Sequence, residues 1–423
     1  MAFSNKTLSK GSVIAALDIG STKTACFIAR VVSDDGAIEV IGVGHQASEG
    51  IKAGAVTELD KVETSVRKAV HAAEQIAASV LKGYPLREVV LNMPVVQTST
   101  FFSKIDVDVQ GETVTDKDIN RAILKGQQQN LPRGHSWLHT IPVGYTLDGQ
   151  SNITKPNGLF GRHLSVDLNS VSCDNLNLQN FTTSLERCHL DVTAFCATPY
   201  ASGLACLVKD EMDLGCTVID MGGGTTQIAV FYNGQLLYTS AVPVGGMHVT
   251  SDIARGLNTS LEDAERIKTL YGSVISSSSD DNEVIDVPLI GEGEHGVSHV
   301  ERSTLTGIIR PRLEETFEMV RARLDDSGIS KILGRNVILT GGASQLPGVR
   351  ELAKAVLDKK IRFGKPIALA GLPDATHGPA FSTASGLLVY MRDRFEEQPS
   401  FVANQNVNNT FFEKVKFWLQ ENW

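Results

Sequence analysis

Apolar positions in this chain follow two rhythms: short runs that end at glycine, and longer stretches that repeat every three or four residues. The run Val13-Ile-Ala-Ala-Leu-Asp-Ile-Gly20 predicts a strand and a glycine turn. A second strand follows to about Arg30, and a third at 38–43 beyond Gly36. Val62, Val66, Ala69, Val70, Ala73, Ile76, Ala77 and Val80 share one helical face, so 60–81 reads as a helix stopped by Gly83-Tyr84-Pro85. The texture then changes. Strands at 89–93 and 98–109 precede a helix at 115–129, and 131–161 is rich in Gly, Pro and Asn with little material for a core. From 164 the order is strand (164–171), helix (175–188), strand (190–197) and helix (200–209), which suits a parallel sheet.

The second half repeats the opening. Val218-Ile-Asp-Met-Gly-Gly-Gly-Thr-Thr226 is an apolar strand, an Asp and a glycine turn, followed by two more strands around Asn233-Gly234. A turn at 242–248 leads to helices at 249–257 and 261–271, and 276–282 is a polar tip. A helix at 305–324 tolerates Pro311. Another strand and glycine turn begins at Asn336, with a helix at 349–357 behind it. A last packed helix at 381–391 carries Ser385-Gly386, which permits a close neighbour.

Candidate chemistry sits at the two acid-glycine turns. Taken alone, the 218–226 stretch fits a simple hairpin closure as well as a phosphate cradle. A second copy, Asp18-Ile-Gly-Ser-Thr-Lys23, lies 202 residues earlier and suggests two similar halves closing on one polyphosphate. Each strand-end Asp could hold Mg²⁺ directly or through water. The third turn, Thr340-Gly-Gly-Ala343, lacks such an acid and fits backbone packed against a neutral ring. Glu265 and Lys268 lie three apart on one helical face, the ordinary spacing of a solvated ion pair.

At 423 residues the chain is too long for one core. The net charge of −9, with Lys and Arg spread out, argues against nucleic acid as a partner. No apolar run reaches the roughly 20 residues of a membrane span, and 1–12 lacks an export signal. Six cysteines without a CxxC pair read as reduced core residues of a cytosolic protein. His135 and His139, with Pro132 and Gly134 nearby and no carboxylate, read as non-ligands. The tail is distinctive. After a polar linker, Phe411, Phe412, Val415, Trp418, Leu419 and Trp423 share one helical arc, with Phe417 off it and Thr410 placed to cap. That face fits a bilayer interface, or docking on the protein itself or a partner.

The three glycine turns, with Asp18 and Asp220 opening the first two, resemble the nucleotide fold of actin, the heat-shock chaperone ATPases and sugar kinases. Within that superfamily the chain is similar to the FtsA family of bacterial cell-division proteins. The likeness rests on both acid turns, on Val249-Thr-Ser-Asp-Ile-Ala254, on Asp263-Ala-Glu-Arg-Ile-Lys268 and on Leu339-Thr-Gly-Gly-Ala343. It implies an α/β, actin-like two-domain nucleotide-binding fold with an inserted subdomain and a C-terminal amphipathic helix. Subdomain 1A would take 1–84, 164–200 and 380–395, and the insert (1C) 85–163. Subdomain 2A would take 201–247 and 312–379, and 2B 248–311. A linker at 396–409 and a membrane helix at 410–423 follow.

The same resemblance implies ATP and Mg²⁺ as cofactors, with Asp18 and Asp220 at the metal. Gly20, Ser21, Thr22 and Lys23 would hold phosphates, together with Gly222, Gly223, Gly224, Thr225 and Thr226. Gly341, Gly342 and Ala343 would meet the adenosine, and Glu265 with Lys268 the ribose or adenine edge. It implies a protein that tethers FtsZ filaments to the cytoplasmic face of the inner membrane at the division site. FtsZ contact would fall on 2B and later division proteins on 1C. Self-polymerisation and anionic lipids complete the partners. Thr198 stands where efficient hydrolases of the superfamily carry an acid before Pro199, and a hydroxyl is no general base near neutral pH, so hydrolysis is expected to be slow. A small-molecule kinase would need an acid beside its pocket, and a chaperone-like ATPase a substrate domain after 395.

Overall fold

Two five-stranded sheets of the same topology form the body of the protein. In the computed structural model, which describes residues 9–34, 36–129, 131–276, 283–291, 296–329, 334–367 and 369–393, each sheet starts from the apolar run that ends in an Asp. Val13–Ile19 pairs antiparallel with Lys23–Val31, which pairs antiparallel with Ile38–Ala47. On the other side Val13–Ile19 runs parallel to Glu88–Met93, and that strand runs parallel to Asp191–Ala197. The second sheet repeats the plan. Cys216–Met221 is antiparallel to Thr226–Tyr232 and parallel to Asn336–Thr340, with Gln235–Val242 and Lys360–Phe363 at the edges. Apart from Val13 at its start, the central strands of both are buried throughout, as a strand with a parallel neighbour in a covered sheet requires.

Two helices fill the space between the sheets. All nine residues of Thr198–Cys206 are buried, and Ser382–Asp393 packs beside it. Gly386 makes this approach possible, because a Cβ there would run into the carbonyl oxygen of Ala201. One hydrophobic cluster joins the first sheet, these two helices and the near face of the second sheet through Val218, Ala229 and Phe231. A separate cluster fills the second half, where Gly246–Leu257, Leu261–Tyr271 and Arg302–Asp325 meet around Ile253, Leu305 and Phe317. The expected helices at 261–271 and 349–357 have those limits. The expected helix at 60–81 is two, Leu59–Ile76 and Ala78–Leu81, because the backbone turns at Ala77.

The inserted region is better ordered than its composition suggests. His135–Leu147 is a strand of 13 residues that buries Trp137, Leu138, Ile141 and Leu147, which corrects the expectation of a core-poor segment there. Pro142 and Gly144 sit at a register shift opposite Asp167 and Leu168 and interrupt the alternation that would have revealed the strand. His163–Asp174 pairs with both His135–Leu147 and Thr98–Asp108, so sheet pairing groups it with the insert. Asp116–Gln127 covers this sheet, capped by Thr115 and Asp118, around a core of its own that includes Ile105, Val166 and Leu168. The linker and the expected amphipathic helix at 410–423, with Phe411, Phe412, Val415, Trp418, Leu419 and Trp423, lie outside the described residues, as does most of the 276–282 tip. No described helix is long and apolar enough to cross a membrane.

Candidate nucleotide site

The two acid turns have the same local geometry. Gly20 N donates to Lys23 O at 2.9 Å, and Gly222 N donates to Thr225 O at 2.9 Å. A Cβ on Gly20 would sit 3.0 Å from Lys23 O, and one on Gly222 3.1 Å from Thr225 O, so a side chain at either place would press on the backbone of its own turn. The turns face each other closely. A Cβ on Gly223 would strike Thr22, and one on Gly224 would strike Ser21. The next segment braces the second turn, with Gly246 N donating to Gly222 O at 2.9 Å and Met247 N to Gly223 O at 2.8 Å.

Between the halves lies a cavity of about 480 Å³. Its wall includes Asp18, Gly20, Ser21, Thr22 and Lys23 from the first half. From the second half come Asp220, Gly222, Gly223, Gly224, Thr225, Glu265, Lys268, Gly341, Gly342 and Ala343. Thr226 is the exception among the expected residues. It is fully buried away from the wall, and its hydroxyl donates to Val244 O at 2.8 Å.

The electrostatics of the floor are unusual. Asp18 is 7 % exposed and its pKa is pushed up to about 7, first by burial and further by Asp220, against the pull of Lys23. Asp220 is also raised by burial, opposed by hydrogen bonds from Ser202 and Thr383 and by Lys23. The Lys23 ammonium is lowered by burial and held up by both carboxylates. It donates to Ala380 O and lies 3.6 Å from the centroid of the Phe381 ring. Ionising both carboxylates around one ammonium would leave a buried excess of negative charge, which an added cation would relieve.

The donor set suits one cation in particular. No group of three or more His, Cys, Asp or Glu that could hold a metal occurs among the described residues. A pair of hard oxygen donors without a full protein cage is what Mg²⁺ takes when water and phosphate oxygens complete its shell.

The wall expected to meet the adenosine is built differently. Lys268 Nζ lies 2.5 Å from Glu265 Oε2 and donates to Thr250 Oγ1 at 2.8 Å and to Gly246 O at 3.2 Å. The Lys268 side chain is 14 % exposed against 54 % for Glu265, so the lysine is tied into the wall rather than solvated. Gly341 has φ of 84°, and a Cβ on it would meet Asp220 Oδ1. Its bareness therefore serves the acid, while Gly342 and Ala343 continue along the wall.

The sequence reading missed Asn92 and Gln227 on the wall and Thr250 beside it. Asn92 Oδ1 accepts from Ile19 N at 2.8 Å, and its Nδ2 donates to Thr198 Oγ1 at 3.3 Å, so it fixes the strand end that carries Asp18. Gln227, cross-strand from Asp220, accepts from Val95 N at 2.8 Å and bridges the halves. Thr250 donates to Glu265. The available signal was a polar residue inside an apolar strand, Asn in Val-Val-Leu-Asn-Met and Gln in Thr-Thr-Gln-Ile-Ala. His139, by contrast, is no ligand. It is buried against Tyr200 and Tyr390, its Nε2 accepts from Ala197 N at 3.0 Å, and burial pushes its pKa down to about 3.

A family model described as cell division protein FtsA matches residues 217–386, and one described as the SHS2 domain inserted in FtsA matches 97–172. Cell division protein FtsA of Agrobacterium fabrum is 42 % identical over 391 residues, covering 90 % of this chain and 87 % of the relative. Its counterpart in Escherichia coli is 33 % identical over 388 residues, covering 90 % of each. Among solved structures, a PilM-PilN type IV pilus biogenesis complex aligns with a TM-score of 0.61 at 17 % identity, over 90 % of this chain and 98 % of that one. MreB5 of Spiroplasma citri bound to ADP aligns with a TM-score of 0.54 at 11 % identity, over 91 % and 98 %. At such identities these two show likeness of fold alone.

Proposed function

The chain belongs to the FtsA family of bacterial cell-division proteins, and from that premise we propose that its cavity takes Mg-ATP as an assembly switch rather than as fuel. In cell division the chain tethers FtsZ filaments and self-assembles. Membership of the family implies binding of ATP and Mg²⁺ with weak ATPase activity at most.

The observation that carries the reading is the pair of matched turns closing one cavity over two buried carboxylates. When bound, Mg²⁺ would neutralise phosphate charge and take oxygen ligands from the site. Asp18 and Asp220 would hold it, directly or through water. Gly20 to Lys23 and Gly222 to Thr225 would cradle phosphates with backbone N–H groups, and Lys23 would supply the nearest fixed positive charge. Glu265 and Lys268 would reach the ribose or adenine edge, with Gly342 and Ala343 against the adenosine. Thr226 acts from behind by pinning the strand. Thr198 offers no group able to take the proton of an attacking water near neutral pH, so hydrolysis would be slow.

The remaining assignments follow the family. Residues 248–311 would meet FtsZ and the insert would meet later division proteins. The tail at 410–423 would enter the cytoplasmic face of the inner membrane through anionic lipids. One short helix binds a bilayer weakly, so many tails in a polymer would be needed for durable attachment.

Calorimetric titration with Mg-ATP tests the site. Wild-type protein should bind, and Asp220→Ala should lose at least about a hundredfold in affinity, as expected when a charged group facing a bound ion is removed. Equal affinity of the two proteins would refute the assignment.

A further inference from the structure

The insert is covalently part of the first half, yet it is fastened to both halves at the back of the cleft. On the first half, His139 of the insert accepts from Ala197 N at 3.0 Å, one residue before Thr198, and its ring packs edge-on to Tyr200 and Tyr390. On the second half, Thr100 Oγ1 donates to Thr239 O at 3.2 Å, and Asn169 Nδ2 donates to Leu236 O at 2.8 Å. Both acceptors belong to Gln235–Val242, an edge strand of the second sheet. That strand leads within a few residues to Gly246 and Met247, whose N–H groups brace the turn at Gly222 and Gly223. Beside it, Val95 N on the approach to the insert donates to Gln227 on the cavity wall.

The seam is also imperfectly satisfied. Six buried side-chain polar atoms have no hydrogen-bond partner among the described residues, and three of them lie here: His139 Nδ1, Thr140 Oγ1 and Asn169 Oδ1. A relative rotation of the two halves must break the Thr100 and Asn169 bonds or carry the insert with it.

We propose that the insert is a strap across the back of the cleft whose attachment to the strand Gln235–Val242 is coupled to the occupancy of the nucleotide cavity. This rests on the reading that the cavity takes Mg-ATP. The state of the cavity then sets the position of the insert, and by linkage anything that holds the insert changes nucleotide affinity by the same factor.

Thr100 Oγ1 and Thr239 Oγ1 lie 3.4 Å apart, within reach of a cross-link. In the full chain carrying Thr100→Cys and Thr239→Cys, mild oxidation should close a disulfide at a rate that Mg-ATP changes about fivefold or more, read by gel mobility against the parent. The oxidised protein should bind Mg-ATP with an affinity shifted by a similar factor, reversed by reductant. Hydrogen exchange on the unsubstituted chain checks the same point without substitutions, with Mg-ATP changing protection at 95–103 and 235–242. Unchanged cross-linking and exchange, in protein shown calorimetrically to bind Mg-ATP, would overturn the strap. Failure of the unsubstituted protein to bind Mg-ATP at all would instead bring down the reading on which the strap rests.

Discussion

Asp18 and His139 are buried titratable groups with opposite consequences for stability. The Asp18 carboxyl has an ordinary pKa of 3.8 and a folded value of about 7. Between those values the unfolded chain holds fewer protons, so this group's contribution to stability falls as pH rises, by about 1.4 kcal/mol per pH unit. Above pH 7 the loss is complete. Nucleotide-free Asp18→Asn should therefore gain on wild type in urea unfolding at pH 8 relative to pH 5, while losing Mg-ATP binding. A parallel pH dependence in the two proteins would contradict the burial argument. His139 works in reverse, because its folded pKa of about 3 lies below the ordinary 6.5. Its contribution is complete above pH 6.5 and is lost as pH falls toward 3, so His139→Phe should flatten the acid limb of the unfolding curve. Thr198→Ala should leave slow ATP turnover within about twofold, since the hydroxyl is no base; a hundredfold fall would give Thr198 a catalytic part.

Among the elements, the helices Thr198–Cys206 and Ser382–Asp393 matter most, because they join the two sheets. Gly386→Ala would drive a methyl into the carbonyl of Ala201, and overpacking of this kind destabilises by about 1–3 kcal/mol, measurable by chemical denaturation. An effect below about 0.5 kcal/mol would mean that the helices part easily. Ser385-Gly386 announced this contact in sequence, as the two Asp-Gly turns announced the cavity, because both depend on local chemistry. His135–Leu147 was illegible for the opposite reason. Its order comes from pairing with a strand about 30 residues away, and Pro142 and Gly144 hide its alternation. Asn92 and Gln227 escaped notice for a related reason. A polar residue in an apolar strand becomes meaningful only when the strand's end is known to face the cavity.

At the scale of the whole molecule, duplication builds the proposed switch. Two sheets of one topology place an acid at the same strand end in each half, and neither half alone encloses a ligand. Nucleotide bound between the halves, as proposed, would fasten their relative orientation, and a polymer of such units would be sensitive to it. A tail that seeks the membrane, as proposed, would turn polymer length into membrane affinity. Co-sedimentation with vesicles containing anionic lipid tests that chain of cause most directly, comparing the intact chain, a 1–405 truncation and Asp220→Ala, each with and without Mg-ATP. The intact chain should pellet with vesicles and do so more fully with Mg-ATP. Asp220→Ala should pellet weakly and without response to nucleotide, and the truncation should stay in solution. Equal pelleting of intact and truncated chains, or an intact chain indifferent to Mg-ATP, would contradict the account.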